Sequence, residues 1–145
     1  MPNFKSDTVT AQELASAKAS SMIADAAKIS GKLHFIQGVL TVPNGTAVAD
    51  TIEIVQIPAG VTIIPGLSNI VGASAGATTT LSLGFAGAAT AISTAVATST
   101  AGAKPLVGDV GSYTNATKRS LIATVGGAGL TAGVVLYFNI ACVHA

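Results

Sequence analysis

Charge is what this sequence most lacks. Lys, Arg, Asp and Glu make up 9% of its 145 residues, against roughly a quarter in ordinary globular domains. The formal net charge is +1, which argues against nucleic acid as a partner, since a phosphate backbone is met by a basic stripe. No charged residue occurs between Glu53 and Lys104. A chain that stays soluble on its own ordinarily carries more charge of both signs. Much of this surface is therefore expected to be covered, by identical subunits or by a larger partner.

Groups that do chemistry are equally scarce. The only histidines are His34 and His144, and the only cysteine is Cys142. One cysteine permits no intrachain disulfide, and its ordinary role is that of a small buried hydrophobe. Cys142 and His144 are two apart and would share one face of a strand. Two ligands do not make a zinc site, and no third presents itself. Ser74 and Ser112 lie in no G-x-S-x-G context. Asp50 and Glu53 are three apart, on opposite sides of a strand, so an acid pair would have to draw Asp109 from a distant loop. Gly126-Gly127-Ala128-Gly129 lacks the Lys-Ser/Thr of a phosphate loop. The expectation is a protein with no catalytic residues, no metal and no cofactor. The first thirty residues also lack the continuous apolar run of a secretory leader, which predicts synthesis in the cytoplasm.

What is present is small and β-forming. Ala supplies 27 residues, Thr 17 and Gly 16, in a chain of one-domain length. The stretch around which the rest appears organised is Asp50 to Phe85. Residues 50–54 alternate polar and apolar, as a half-buried strand does. Pro58-Ala59-Gly60 punctuates, and Pro65-Gly66 suits the centre of a type II turn. From Thr78 to Phe85 the alternation resumes and puts Leu81, Leu83 and Phe85 on one face, Thr80, Ser82 and Gly84 on the other.

Either side of this block the pattern varies. Met1 to Ser30 holds six of the thirteen charges amid Ala and Ser. Thr10 and Glu13 have capping-box spacing, and Leu14, Met22, Ala26 and Ile29 roughly share a helical face, interrupted by Lys18. The segment reads as an N-terminal arm, residues 1–30, with a helix packed on the domain as the alternative. Residues 31–145 read as the domain. Leu33 to Val42 is its first strand, with Gly38 a bulge or a close backbone approach, and Pro43 to Thr46 is a turn before a strand at Val48 to Ile57. Gly87 to Gly102 is low-complexity and fits a short helix, a loop of small residues or a tightly stacked strand. Lys104 to Arg119 reads as an exposed loop, and Leu121 to Val125 and Gly133 to Val143 as the last strands. Seven or eight short strands separated by Gly/Pro turns predict a mainly β protein, a single β-sandwich or jelly-roll-like domain.

Leu121 to Val143 is uncharged, with a G-x-x-x-G at Gly129 to Gly133, so a small membrane protein enters as a lesser alternative. Its clustered glycines, Asn139 and β-branched alternation oppose that reading, and no membrane partner is expected.

At GKLHFIQGVLTV, DTIEIVQIPAGVTIIPG, TTTLSLGFAG and GVVLYFNIACV the order of features resembles a group of small tailed-phage virion proteins. The match is carried by Ile57, Pro58, Ala59, Gly60 and Val61, then by Thr80, Leu81, Leu83 and Gly84. Ala59 stands where that group commonly has Lys. The resemblance spans residues 31–145 and implies a capsid decoration (cement) protein. It would be a homotrimer on the outer surface of the virion head, with the major capsid protein as its partner. Phe4, Leu14, Met22, Ile29 and Tyr113 are the candidate partner-binding residues. The alternative is a receptor- or glycan-binding module of a tail or head fibre, for which Tyr113, with Asp109 and Asn115 nearby, is the fitting feature.

Overall fold

The computed structural model describes residues 3–7, 9, 33–106 and 113–144. Strands dominate: β1 (Asn3–Lys5), β2 (Leu33–Thr41), β3 (Thr51–Ile57), β4 (Val61–Ile63), β5 (Asn69–Gly72), β6 (Thr80–Phe85), β7 (Ala88–Ala97), β8 (Gly102–Pro105), β9 (Tyr113–Thr114), β10 (Arg119–Gly126) and β11 (Val135–His144). They form two sheets with a shared core, the expected β-sandwich. The first sheet runs β1-β3-β10-β6-β7. The second runs β8-β5-β11-β4-β9, with β2 also paired to β11.

β11 is the spine of the second sheet. β2 pairs with it antiparallel along its length, from Thr41 opposite Val135 to Leu33 opposite Val143. Along the other edge β5 takes Leu136 to Asn139 and β4 takes Cys142 to His144. A 3₁₀ turn, Pro65–Leu67, fills the gap between those two strands. There the Ile64 amide donates to the Ala141 carbonyl at 2.8 Å, and the Ala141 amide donates to Ser68 Oγ at 2.9 Å. A side-chain hydroxyl thus completes a ladder that the backbone leaves open, as buried peptide groups require. The expected type II turn at Pro65-Gly66 is replaced by this 3₁₀ turn, whose first position suits the fixed φ of proline.

The core lies between the sheets. Ile52, Ile57, Leu81, Leu83, Phe85 and Ile92 come from one side, and Leu40, Ile63, Ile70, Phe138 and Ile140 from the other, all buried. Leu81, Leu83 and Phe85 share the inner face, as the alternation predicted. Ile54 and Val55 are consecutive yet both buried, because the β3–β10 register shifts between Leu121 and Ile122 and so breaks the two-residue period. Gly38 marks a close approach: a Cβ there would lie 2.5 Å from Ile54 Cγ2.

Other segments also differ from expectation, among them Lys104 to Arg119, read as an exposed loop, which holds the end of β8, the strand β9 and the buried Asn115. The strand predicted from Val48 starts at Thr51, since residues 47–50 turn tightly around Asp50. That carboxylate accepts from the Ala47 amide at 2.9 Å, and Ala49 takes a positive φ of 74°. Ala88–Ala97, left open between helix, loop and strand, is the strand β7. Its pairing with β6 shifts register twice, so Ile92 and Ser93 are buried side by side. Lastly, the start of the chain belongs to the sandwich. β1 pairs in parallel with β3, Asn3 to Thr51 through Lys5 to Glu53, and Ser6 and Val9 are fully buried.

Leu83→Ala should cost about 2–5 kcal/mol, because it empties a fully buried site, whereas Ser82→Ala on the opposite face should stay within about 0.5 kcal/mol. Equal losses in denaturant titrations would mean that the β6 register is wrong. Gly38→Ala should destabilise by about 1–3 kcal/mol through overpacking against Ile54, and a neutral result would refute that close approach.

Candidate functional site

The two outer faces of the sandwich differ in chemistry. That of the first sheet is polar, with Thr51, Glu53, Thr80, Ser82, Ser120 and Thr124 all half-buried. The outer face of the second sheet has no charged side chain among the described strand positions that register places on it, and the one carboxylate bonded at its margin is that of Asp7, which accepts from the Thr41 hydroxyl. β2 contributes Leu33, Phe35, Gln37, Val39 and Thr41. Opposite them stand Val143, Ala141, Asn139, Tyr137 and Val135 of β11. β5 extends two rows with Asn69 and Val71.

Three large side chains on this face are open to solvent: Leu33 at 52%, Phe35 at 57% and Tyr137 at 41%. Fully burying an exposed Leu or Phe is worth roughly 1.5–3 kcal/mol, and covering one already half-buried roughly half of that. Between Phe35 and Tyr137 runs a stripe of amides. Gln37 Nε2 donates to Asn139 Oδ1 at 3.0 Å, and Asn139 Nδ2 donates to Asn69 Oδ1 at 2.9 Å. The stripe has a direction, with the carbonyl of Gln37 available at one end and the amide N–H of Asn69 at the other. Each amide holds its neighbour in place, so a partner that covers them freezes little extra side-chain motion. An apolar surface crossed by a fixed donor–acceptor row suits recognition of another surface.

Of the expected partner residues, Phe4 and Tyr113 are described, and both pack against the core. Phe4 is half-buried against the core. Leu14, Met22 and Ile29 lie outside the described residues, as does Asp109. Tyr113 is half-buried and stacks on Phe85, with ring centroids 5.1 Å apart. Its hydroxyl accepts from Arg119 Nη2 at 2.5 Å, and the Arg119 guanidinium lies 4.1 Å over the Phe85 ring. This cation–π cluster closes one end of the core. Asn115 is 1% exposed, and its Nδ2 donates to the carbonyls of Ile57 and Pro58 at 3.0 and 3.3 Å. Tyr113 and Asn115 thus serve packing and turn closure. Leu33, Phe35, Tyr137 and the amide stripe did not stand out in the sequence, although Phe35 and Gln37 share parity along β2.

No group of three or more His, Cys, Asp or Glu suited to a metal ion occurs among the described residues. Among them, too, no helix is long and apolar enough to cross a membrane, and Leu121 to Val143 is divided between strands of different sheets. Cys142 is fully buried, and desolvation raises its thiol to about 11, against a smaller lowering by a backbone hydrogen bond. The folded state therefore holds this proton more tightly than the unfolded one. Its contribution to stability is present below the unfolded pKa of about 9 and is lost as pH rises towards the folded value. At pH 8 a thiol reagent should leave the native protein largely unmodified and label it completely in denaturant. Rapid native labelling would show that the Cys142 site is open.

No protein-family model matches the sequence, and no curated protein matches it. Among solved structures, the fold is similar to a chain in the capsid of Ralstonia phage GP4. The TM-score is 0.64, with 16% identity over 81% of this chain and 88% of that one. It is similar also to a chain in the capsid asymmetric unit of cyanophage Pam1, with a TM-score of 0.57 and 20% identity over 79% of this chain and 86% of that one. At these identities the likeness is one of fold, over about four fifths of this chain in both cases.

Proposed function

We propose that this chain is a structural protein of a phage head, and within that class a decoration (cement) protein. It would act as a homotrimer bound to the outside of the shell through the major capsid protein. The observation that carries the reading is the largely apolar, preorganised outer face of the second sheet, on a fold whose structural neighbours come from phage capsids. Decoration works by burying surface across joints between shell subunits, so that any opening of the shell must also break those contacts. It needs area and repetition in place of catalysis. Standard interfaces bury roughly 1,600 Å², and an N-terminal arm carrying Leu14, Met22 and Ile29 would extend the footprint. A receptor- or glycan-binding module is the second reading, favoured by the placement of Phe35 and Tyr137 on either side of the amides.

Hydrodynamic mass should come to about three times the 14.1 kDa chain, and a clean monomer at micromolar concentration would refute self-association. On capsids stripped of this chain, Phe35→Glu combined with Tyr137→Glu should weaken attachment by more than about tenfold, since two desolvated anions replace apolar contacts. Ser82→Gln on the opposite face should leave it unchanged. Undiminished binding by the double variant would exclude this face. Binding of the wild-type protein to host cells or glycans but not to capsids would favour the second reading.

A further inference from the structure

The N-terminal strand is a plug seated in a slot, and its contacts are concentrated in a few residues. Phe4 packs on the core, and Ser6 and Val9 are fully buried. The Ser6 amide donates to the Glu53 carbonyl at 2.6 Å. The Ser6 hydroxyl donates to the Ile54 carbonyl and accepts from the Val9 amide at 3.1 Å. Asp7 then reaches the other sheet, where the Thr41 hydroxyl on β2 donates to its carboxylate at 2.9 Å. The plug thus ties the β3 edge of the first sheet to β2 of the second.

Residues 10–32 separate the plug from β2. A chain of that length spans at most about 80 Å, whereas a domain of this size has a radius of gyration of about 15 Å. The plug can therefore enter the slot of its own chain or that of a neighbour, with the same contacts in either case. We propose that in the assembled protein the slot of each copy is filled by Asn3–Val9 of another copy. Exchange costs no contact, because every plug is used and every slot is filled, and it transfers the burial of Phe4, Ser6 and Val9 to the subunit interface. The exchange runs head to tail, so it closes into a ring when the rotation between copies permits, three copies being one such ring. In a closed ring each further link forms within one assembly, at high effective concentration. A charge-poor chain whose surface calls for cover gains a link between subunits that shape complementarity alone does not give. The inference rests on the self-association proposed above, and on nothing about the shell.

Lys5 and Glu53 are in register on β1 and β3, and Lys5 is exposed, so Lys5→Cys with Glu53→Cys places two thiols opposite each other on the full-length chain. After oxidation, exchange predicts covalent multiples of the 14.1 kDa chain on a non-reducing gel, in more than half of the molecules, reverting with reductant. The two single variants, unfolded together and refolded, should give a mixed disulfide dimer. Asn3→Cys with Thr51→Cys, two residues back in the same register, guards against a folding defect of the first pair. A disulfide formed only within single chains would overturn the exchange, and so would no disulfide at all in either pair. Chains that keep an oligomeric mass but cross-link only internally would refute the exchange and leave self-association standing. The wild-type protein, whose Cys142 is buried, should not cross-link.

Discussion

The second sheet depends on one strand being hydrogen-bonded on both edges. β11 carries β2 along one side and β5 and β4 along the other, so its peptide groups have no recourse to water. Where β4 and β5 leave a gap, Ser68 supplies the missing acceptor. A strand in that position fixes the chemistry of both its faces. Inward it shows Leu136, Phe138, Ile140 and Cys142, all buried. Outward, Tyr137 and Asn139 are flanked by β2 on one side and β5 on the other, where an isolated charge would lose hydration. Asn139 sits there instead, with both its amide atoms bonded to other amides. The uncharged row along the outside of β11 thus follows from the pairing of that strand.

Strands were legible in the sequence and their partners were not. Alternation located β6 and its buried side correctly, and turn residues bracketed β2, β10 and β11. Asp50 to Phe85 looked central because its apolar runs are the clearest. In the structure that stretch supplies β3 and β6 to one sheet and β4 and β5 to the other, so it is the region where the chain changes sheets. The central strands are β10 and β11. A signal for β11 was present: Val134 to Ile140 is an apolar run broken only by Asn139, as suits a strand paired on both edges. Two segments hid from periodicity for physical reasons. β7 is double-bulged, which scrambles its two-residue period. β1 is three residues long, too short to show one, and its burial depends on Ser6, a residue type that composition assigns to loops.

The exposed apolar face of the second sheet was illegible for a different reason. Phe35 and Ile36 are adjacent and both apolar, and only the register with β11 shows which of them faces outward. Residues that make a docking surface are the same types that make a core, and what separates them is whether a second layer covers them. Tyr113 stood out because aromatics are few and its loop is polar, yet its ring is committed to Phe85 and Arg119. Tyr137, the more exposed of the two tyrosines, drew no notice because it lies inside a run that reads as interior.

On the proposed reading, the energetics explain why a protein of this kind would work in multiple copies. Leu33, Phe35 and Tyr137 are already about half covered, so together they offer roughly 2–5 kcal/mol when covered completely. Association costs an estimated 4–15 kcal/mol in lost translation and rotation, so these three contacts alone on one face do not sustain a single attachment. Linking the copies changes the balance, because a second and third attachment are made at the effective concentration set by the first. A small-residue surface with amides already fixed keeps the ordering cost of each attachment low. What such an assembly requires is a link between copies stronger than any one of its attachments. The buried N-terminal segment, with Ser6 and Val9 fully enclosed and both sheet edges engaged, is the contact in this fold best suited to supply it.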